Sequence, residues 1–279
     1  MTLLANTRRL LAAALLLTVA GCTPGATGPT PTSAPPPTID RWGGLLRDLR
    51  ELWSAEPGID LLTGPAVIVR AYRESIELAQ SMGKNDYVYP GFDRAVLPSE
   101  PNSEQMSKWD RWPTLATPVT EARFGNLKSH ILTIARSGRD VAAVVCSYTY
   151  ATAAENGAGK FVSRGNSSAG TNPGISAYYV KLLAPEQETG QARPPQKGPS
   201  AAPVTDVFGE WKVTGSLNSF AYTEADLIRE WPSYHDDLAG CVNKAPDPPE
   251  RRQFLLTGEH PRSDFPTLPA EPGWPSVTN

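Results

Sequence analysis

The chain has 279 residues, with 26 Lys and Arg against 29 Asp and Glu and a formal net charge of −3. This mildly acidic balance offers no electrostatic footing for nucleic acid or anionic headgroups, so nucleic acid is excluded as an expected partner. Beyond an atypical N-terminus there remain about 200 residues of ordinary composition and a tail, which suits one domain better than two.

Arg8 and Arg9 precede an apolar run from Leu10 to Val19. The run is about half of the ~20 residues a transmembrane helix needs. A basic start, a short apolar stretch and small residues at Ala20 and Gly21 describe a cleaved export signal. Val19-Ala20-Gly21-Cys22 resembles the bacterial lipobox. The resemblance implies diacylglycerol transfer to the Cys22 sulfur, cleavage before Cys22 and acylation, for instance with palmitate, of the freed amine. The expected location is the extracytoplasmic face of the cell membrane, with the membrane itself as partner through the lipid on Cys22. Cleavage would remove Arg8 and Arg9 and no acid, leaving 24 basic residues against 29 acidic ones, a charge of −5. From Thr23 to Thr38 the chain reads TPGATGPTPTSAPPPT, with nothing bulky to bury. It reads as an extended spacer, at about 3.1 Å per residue reaching up to roughly 50 Å. Its threonines beside prolines resemble the sugar-modified stalks of secreted actinobacterial lipoproteins. The expected organisation is a signal peptide at 1–21, lipidated cysteine and spacer at 22–39, an α+β domain at 40–244 and a Pro-rich tail at 245–279.

Within the domain, Trp42, Leu45, Leu46, Leu49, Leu52 and Trp53 recur at helical spacing. A second helix is better marked: Thr63 at its start, Gly64-Pro65 in its first turn, Gly83 at its end. Ile68, Tyr72, Ile76, Ala79 and Met82 form its apolar stripe. Lys84 to Thr120 reads as aromatic-rich loops and short helices. Leu127–Arg136, a Ser137-Gly138-Arg139-Asp140 turn and Val141–Thr152 then read as a β-hairpin. A Gly/Ser/Asn-rich loop from Glu155 to Gly174 leads to a third strand at Ala177–Leu183. A Pro-rich excursion, Pro185 to Pro203, precedes a fourth strand at Val207–Thr214. Thr223-Glu224-Ala225-Asp226 opens a last helix, interrupted at Pro232 and ending near Gly240. Beyond Lys244 prolines are too frequent for a packed element, which leaves an ornament or a wrapping arm. Helices followed by a curved four-stranded antiparallel sheet give an α+β fold class.

The stretch from the Thr63 helix to Gly209-Glu210-Trp211-Lys212-Val213 resembles the nuclear transport factor 2-like cone fold, whose last strands carry a Gly-x-Trp-x-Val/Ile segment. The resemblance implies an amphipathic helix cradled by a curved sheet. It also implies, as an alternative, enzymes of the polyketide-cyclase or isomerase sort. The long insertion before Asp206 and the helix after Thr223 depart from that pattern.

Motifs for chemistry are sparse. Ala154–Phe161 fails as a phosphate loop because Ala154 stands where Gly is needed and Phe161 where a hydroxyl is needed. Gly165–Ala169 fails as a nucleophile elbow because no helix can follow through Thr171-Asn172-Pro173-Gly174. His130, His235 and His260 have no partner histidine at i, i+4, and Tyr234-His235-Asp236-Asp237 points to different sides of a helix. Neither metal nor cofactor nor catalytic set is therefore expected. Alternation places His130 with Leu132 and Ile134, either as a core histidine or as a base beside a cavity. Trp109, Trp112, Tyr87, Tyr89 and Phe92 serve either as loop anchors or as stacking groups. On the second hairpin strand, Ala142, Val144, Cys146, Tyr148 and Tyr150 share one face, apolar with phenols at its end. With His130 and Trp211, Tyr148 and Tyr150 are the candidate ligand-binding residues, for a small apolar ligand. Cys146 and Cys241, the cysteines left once Cys22 is acylated, are expected to pair in an oxidising compartment. The function expected is a tethered, non-catalytic binding or accessory module for an apolar ligand or an envelope protein. An isomerase-like enzyme and a purely protein-interacting lipoprotein are the alternatives.

Overall fold

The computed structural model describes residues 39–165, 172–187 and 194–276. Cys22, the signal segment and the spacer lie outside the described residues. Where helical spacing is expected from Trp42 to Trp53, the chain makes one 3-10 turn, Gly44–Leu46, and then a strand, β1 (Asp48–Ala55). Leu49, Glu51 and Trp53 are its buried residues, a period of two rather than 3.6. A carboxylate in the middle inward position hides that alternation from a hydropathy reading.

Helix α1 (Gly64–Met82) follows as expected, with Pro65 in its first turn, and a single helical turn, α2 (Phe92–Ala95), lies in the aromatic-rich stretch after it. Gly83 closes it at φ +64, in the left-handed region, and the Lys84 N–H donates to the Ala79 carbonyl at 3.2 Å. Thr63 does not cap the helix with its side chain; its hydroxyl donates instead to Asp60 at 2.7 Å. The stripe Ile68, Tyr72, Ile76 and Ala79 is buried, and so are Arg70, Arg73 and Glu74 on the other side. The helix is wrapped all round.

The hairpin is β2 (Phe124–Ser137) and β3 (Asp140–Tyr148), and the third expected strand is β6 (Ile175–Leu183). Two short strands lie between them, β4 (Thr152–Glu155) and β5 (Phe161–Ser163). The last strand, β7 (Lys212–Asn218), starts later than its sequence suggests. Asp206 Oδ1 accepts the N–H groups of Phe208 (2.8 Å) and Gly209 (3.1 Å), a side-chain turn that holds the preceding residues out of the ladder. The fold is α+β, with a curled sheet of seven strands instead of four. Its order is β5-β4-β2-β3-β6-β7, with β1 parallel to β2 and the other pairs antiparallel.

Both faces of the sheet are covered. One packs on α1, through Leu49, Trp53, Ile131, Val145, Val180 and Val213. The other lies under α3 (Glu224–Glu230), α4 (Tyr234–Asn243) and α5 (Pro249–Leu256), with Val144, Cys146, Tyr148, Ala177 and Leu217 facing them. A bulge between Ile131 and Thr133 shifts the alternation of β2. His130 and Leu132 therefore face the α4 side, while Ile134 joins the α1 side. The last helix breaks at Pro232 as expected, giving α3 and α4.

Residues 245–276 are a packed part of the domain, contrary to the reading of their prolines. Pro249 begins α5, where a missing N–H costs nothing, and Leu255, Phe265 and Trp274 are buried. Among the described residues no helix is long and apolar enough to cross a membrane.

Candidate functional site

Cys146 on β3 and Cys241 on α4 form a disulfide across a sequence separation of 95. The bond places α4 over the face of β3 that carries Tyr148, with Tyr150 just beyond the strand in the same cluster. That face therefore looks away from the Thr63 helix, and Val141, Ala143 and Val145 are the residues turned toward α1. Tyr148 donates its hydroxyl to the Cys241 carbonyl at 2.9 Å, and Tyr150 donates to Asp247 at 2.8 Å. Burial pushes both phenols upward in pKa, with the Asp247 carboxylate adding to the effect on Tyr150. Both hydroxyls are already used inside the fold. Trp211 lies half-buried against the α1-side core, on the opposite face of the sheet. The four candidate ligand-binding residues do not converge.

His130 sits among polar neighbours. Its Nδ1 is 2.9 Å from the Ser54 hydroxyl of β1, and its Nε2 is 2.9 Å from Glu56 Oε1. Lys244, at the end of α4, lies 2.6 Å from the same carboxylate oxygen. Hydrogen bonds from Lys244 and His130 hold the Glu56 carboxyl below its usual range.

Sequence reading misses the densest polar cluster, between α1 and β1. Spacing of three and four along α1 sets Arg70, Arg73 and Glu74 side by side. Glu74 accepts from Trp53 Nε1 (2.8 Å), Trp274 Nε1 (2.8 Å) and the Tyr89 hydroxyl (2.5 Å), which itself accepts from Trp42 Nε1 at 3.1 Å. Arg70 is fully buried and donates to the carbonyls of Leu61 (2.9 Å), Gln196 (3.3 Å) and Pro272 (2.6 Å). Its guanidinium lies 4.3 Å over the Trp274 ring, and that of Arg73 lies 3.4 Å over Tyr178. Glu51 accepts from Ser129 at 2.7 Å; burial, with the Glu74 charge second, raises its carboxyl well above the usual range. Three indoles and a phenol cap this cluster. The only advance signals are an aromatic residue, Trp274, in a Pro-rich tail and three charged residues, Arg70, Arg73 and Glu74, on an otherwise buried helix.

Two surface hollows flank the α1 side. One, about 290 Å³, lies beside Trp53, Ile59, Leu61 and Leu62, with Lys197 and Glu271 at its rim. The second, about 170 Å³, is lined by Glu77, Arg123, Thr152 and Arg164 among others. Neither is lined by His130, Tyr148, Tyr150 or Trp211, nor by Glu51 or Glu74.

No family model, curated protein or solved structure matches this chain.

The aromatic loop residues act as anchors. Trp109 donates to the Ser103 carbonyl at 2.7 Å, Trp112 meets Phe92 edge-on, and Tyr89 and Phe92 are buried. The Tyr234–Asp237 cluster is likewise structural: Asp237 accepts from Trp231 and Ser233, both at 2.6 Å, while His235 pairs with Glu224. Among the described residues no three His, Cys, Asp or Glu side chains are placed to hold a metal ion.

Proposed function

We propose that this chain is a lipid-tethered lipoprotein of the cell envelope, anchored through Cys22, that works as a non-catalytic binding or accessory module for another envelope protein. The address rests on the Arg8-Arg9 start, the short apolar run and Val19-Ala20-Gly21-Cys22. The observation that carries the module reading is the use of Tyr148 and Tyr150 inside the fold, under a helix held by a disulfide. Side chains committed to internal hydrogen bonds leave the outer surface for recognition. Kinship with the nuclear transport factor 2-like cone belongs to the same proposal. An amphipathic helix packed on a curled sheet supports it, with β1, β4, β5 and the second helical layer as additions.

A second reading, a small apolar ligand, is favoured by the hollow beside Trp53, Ile59, Leu61 and Leu62. The isomerase-like alternative has less support, because His130 and the two tyrosines share no hollow. Replacing Cys22→Ser tests the tether: the protein should become soluble or remain an uncleaved precursor. A processed Cys22→Ser protein that survives a high-salt wash on the membrane defeats it. Native mass spectrometry separates the two ligand readings, with a stoichiometric lipid favouring the second.

A further inference from the structure

His130 ties β1, β2 and the end of α4 together, and the two groups on its ring differ in kind. An ionised Glu56 can only accept a hydrogen bond, so the ring hydrogen sits on Nε2. The lone pair of Nδ1 then faces the Ser54 hydroxyl at 2.9 Å. Hydroxyl, imidazole and carboxylate in that order make an activated nucleophile: the base takes the hydroxyl proton, and the third group fixes the tautomer of the base. Access and rigidity agree with the order. Ser54 is exposed next to the end of β1, while the His130 side chain is only 11% exposed and held from both sides. Lys244 neutralises the charge of Glu56 without displacing the ring from it.

We propose that Ser54 is an acyl-acceptor site, taking an acyl group from a carboxylic ester with His130 as base and Glu56 as its orienting group. Ser54 Oγ bonds to the ester carbonyl carbon, and the bond from that carbon to the leaving oxygen breaks. The proton passes from Oγ to Nδ1 and on to the leaving oxygen. The N–H of Glu56 is bonded to the Ile131 carbonyl and is not free to stabilise an oxyanion, and neither hollow reaches Ser54. General-base help contributes about 10²–10⁴-fold, whereas a missing oxyanion donor forfeits about 10²–10³-fold. Uptake and release both pass through that oxyanion, so the site takes up one acyl group slowly and releases it slowly as well. This modification goes beyond the tethered-module reading and stands apart from it.

The test uses the full-length protein, p-nitrophenyl acetate and peptide mapping by mass spectrometry, which separates Ser54 from Lys244. The wild type should acquire an acetyl group on Ser54, and Ser54→Ala should acquire none in that peptide. His130→Ala should label at least about tenfold more slowly, as should Glu56→Gln, in which the tautomer is no longer fixed. No acetyl on Ser54 in the wild type overturns the proposal. So does wild-type labelling in a His130→Ala protein with unchanged melting. If His130→Ala does not fold, Glu56→Gln decides, and labelling at the wild-type rate rejects it.

Discussion

The two faces of the sheet are closed by different chemistry. Under α4 the contact is apolar and aromatic, and one covalent bond, Cys146–Cys241, fixes it. Over α1 the closure is polar. A buried carboxylate gathers three donors, and a buried guanidinium grips three carbonyls from segments far apart in sequence. The first kind of closure answers to redox conditions and the second to protonation and packing. The two faces thus carry chemically distinct vulnerabilities.

The largest effect is expected on the α4 side. Reduction, or Cys146→Ser with Cys241→Ser, should cost about 4–5 kcal/mol by the chain-entropy model, an upper figure because the unfolded chain retains structure. Urea unfolding with and without reductant measures it. Coincident midpoints would show that the apolar contacts alone hold that face.

Trp274→Ala strikes the other closure. It removes a buried indole, one donor to Glu74 and the surface on which Arg70 stacks. A loss of about 3–5 kcal/mol is expected. It should be equal in oxidised and reduced protein if the two faces are independent. A loss that depends on reductant would show that the two faces are coupled through the sheet.

Glu51 gives the smallest effect and the most specific one. Its raised carboxyl means that the folded protein keeps this proton to higher pH than the unfolded chain does. The stability it contributes is fully present below the unfolded value, about 4.3, and is lost as pH rises toward the folded one. Glu51→Gln keeps a neutral side chain at every pH. Its melting temperature should therefore fall by a few degrees less than that of the wild type as pH rises from about 5 to about 8. Parallel melting curves would place the Glu51 charge outside the energetics of the α1 side.

Local signals made the best-marked elements legible. Pro65 and Gly83 bracket α1, Gly138 turns the β2–β3 hairpin, and Pro232 parts α3 from α4. The disulfide followed from counting cysteines. β1 was hidden because Glu51 occupies an inward position, and hydropathy scores a carboxylate as outward whatever its partners. Parity groups Tyr148 and Tyr150 on one face but does not say which face turns toward α1. Cys146 shares their face, so any helix carrying Cys241 must cover them, and that inference was available from the sequence. The bulge in β2 was not, because one extra residue leaves no local mark in LKSHILTIAR. Ser54 and Glu56 gave no warning either, since they meet His130 only through parallel pairing of β1 with β2.

The bond from Trp274 to Glu74 spans 200 residues, and that separation has a consequence for the order of events during synthesis. At about 5–20 residues per second, Glu74 leaves the ribosome roughly 10–40 seconds before its last donor exists. During that interval α1 cannot complete its core, because Arg70 also lacks the Gln196 and Pro272 carbonyls it will hold. The nascent chain is obliged to wait, partly open, until its distal arm arrives.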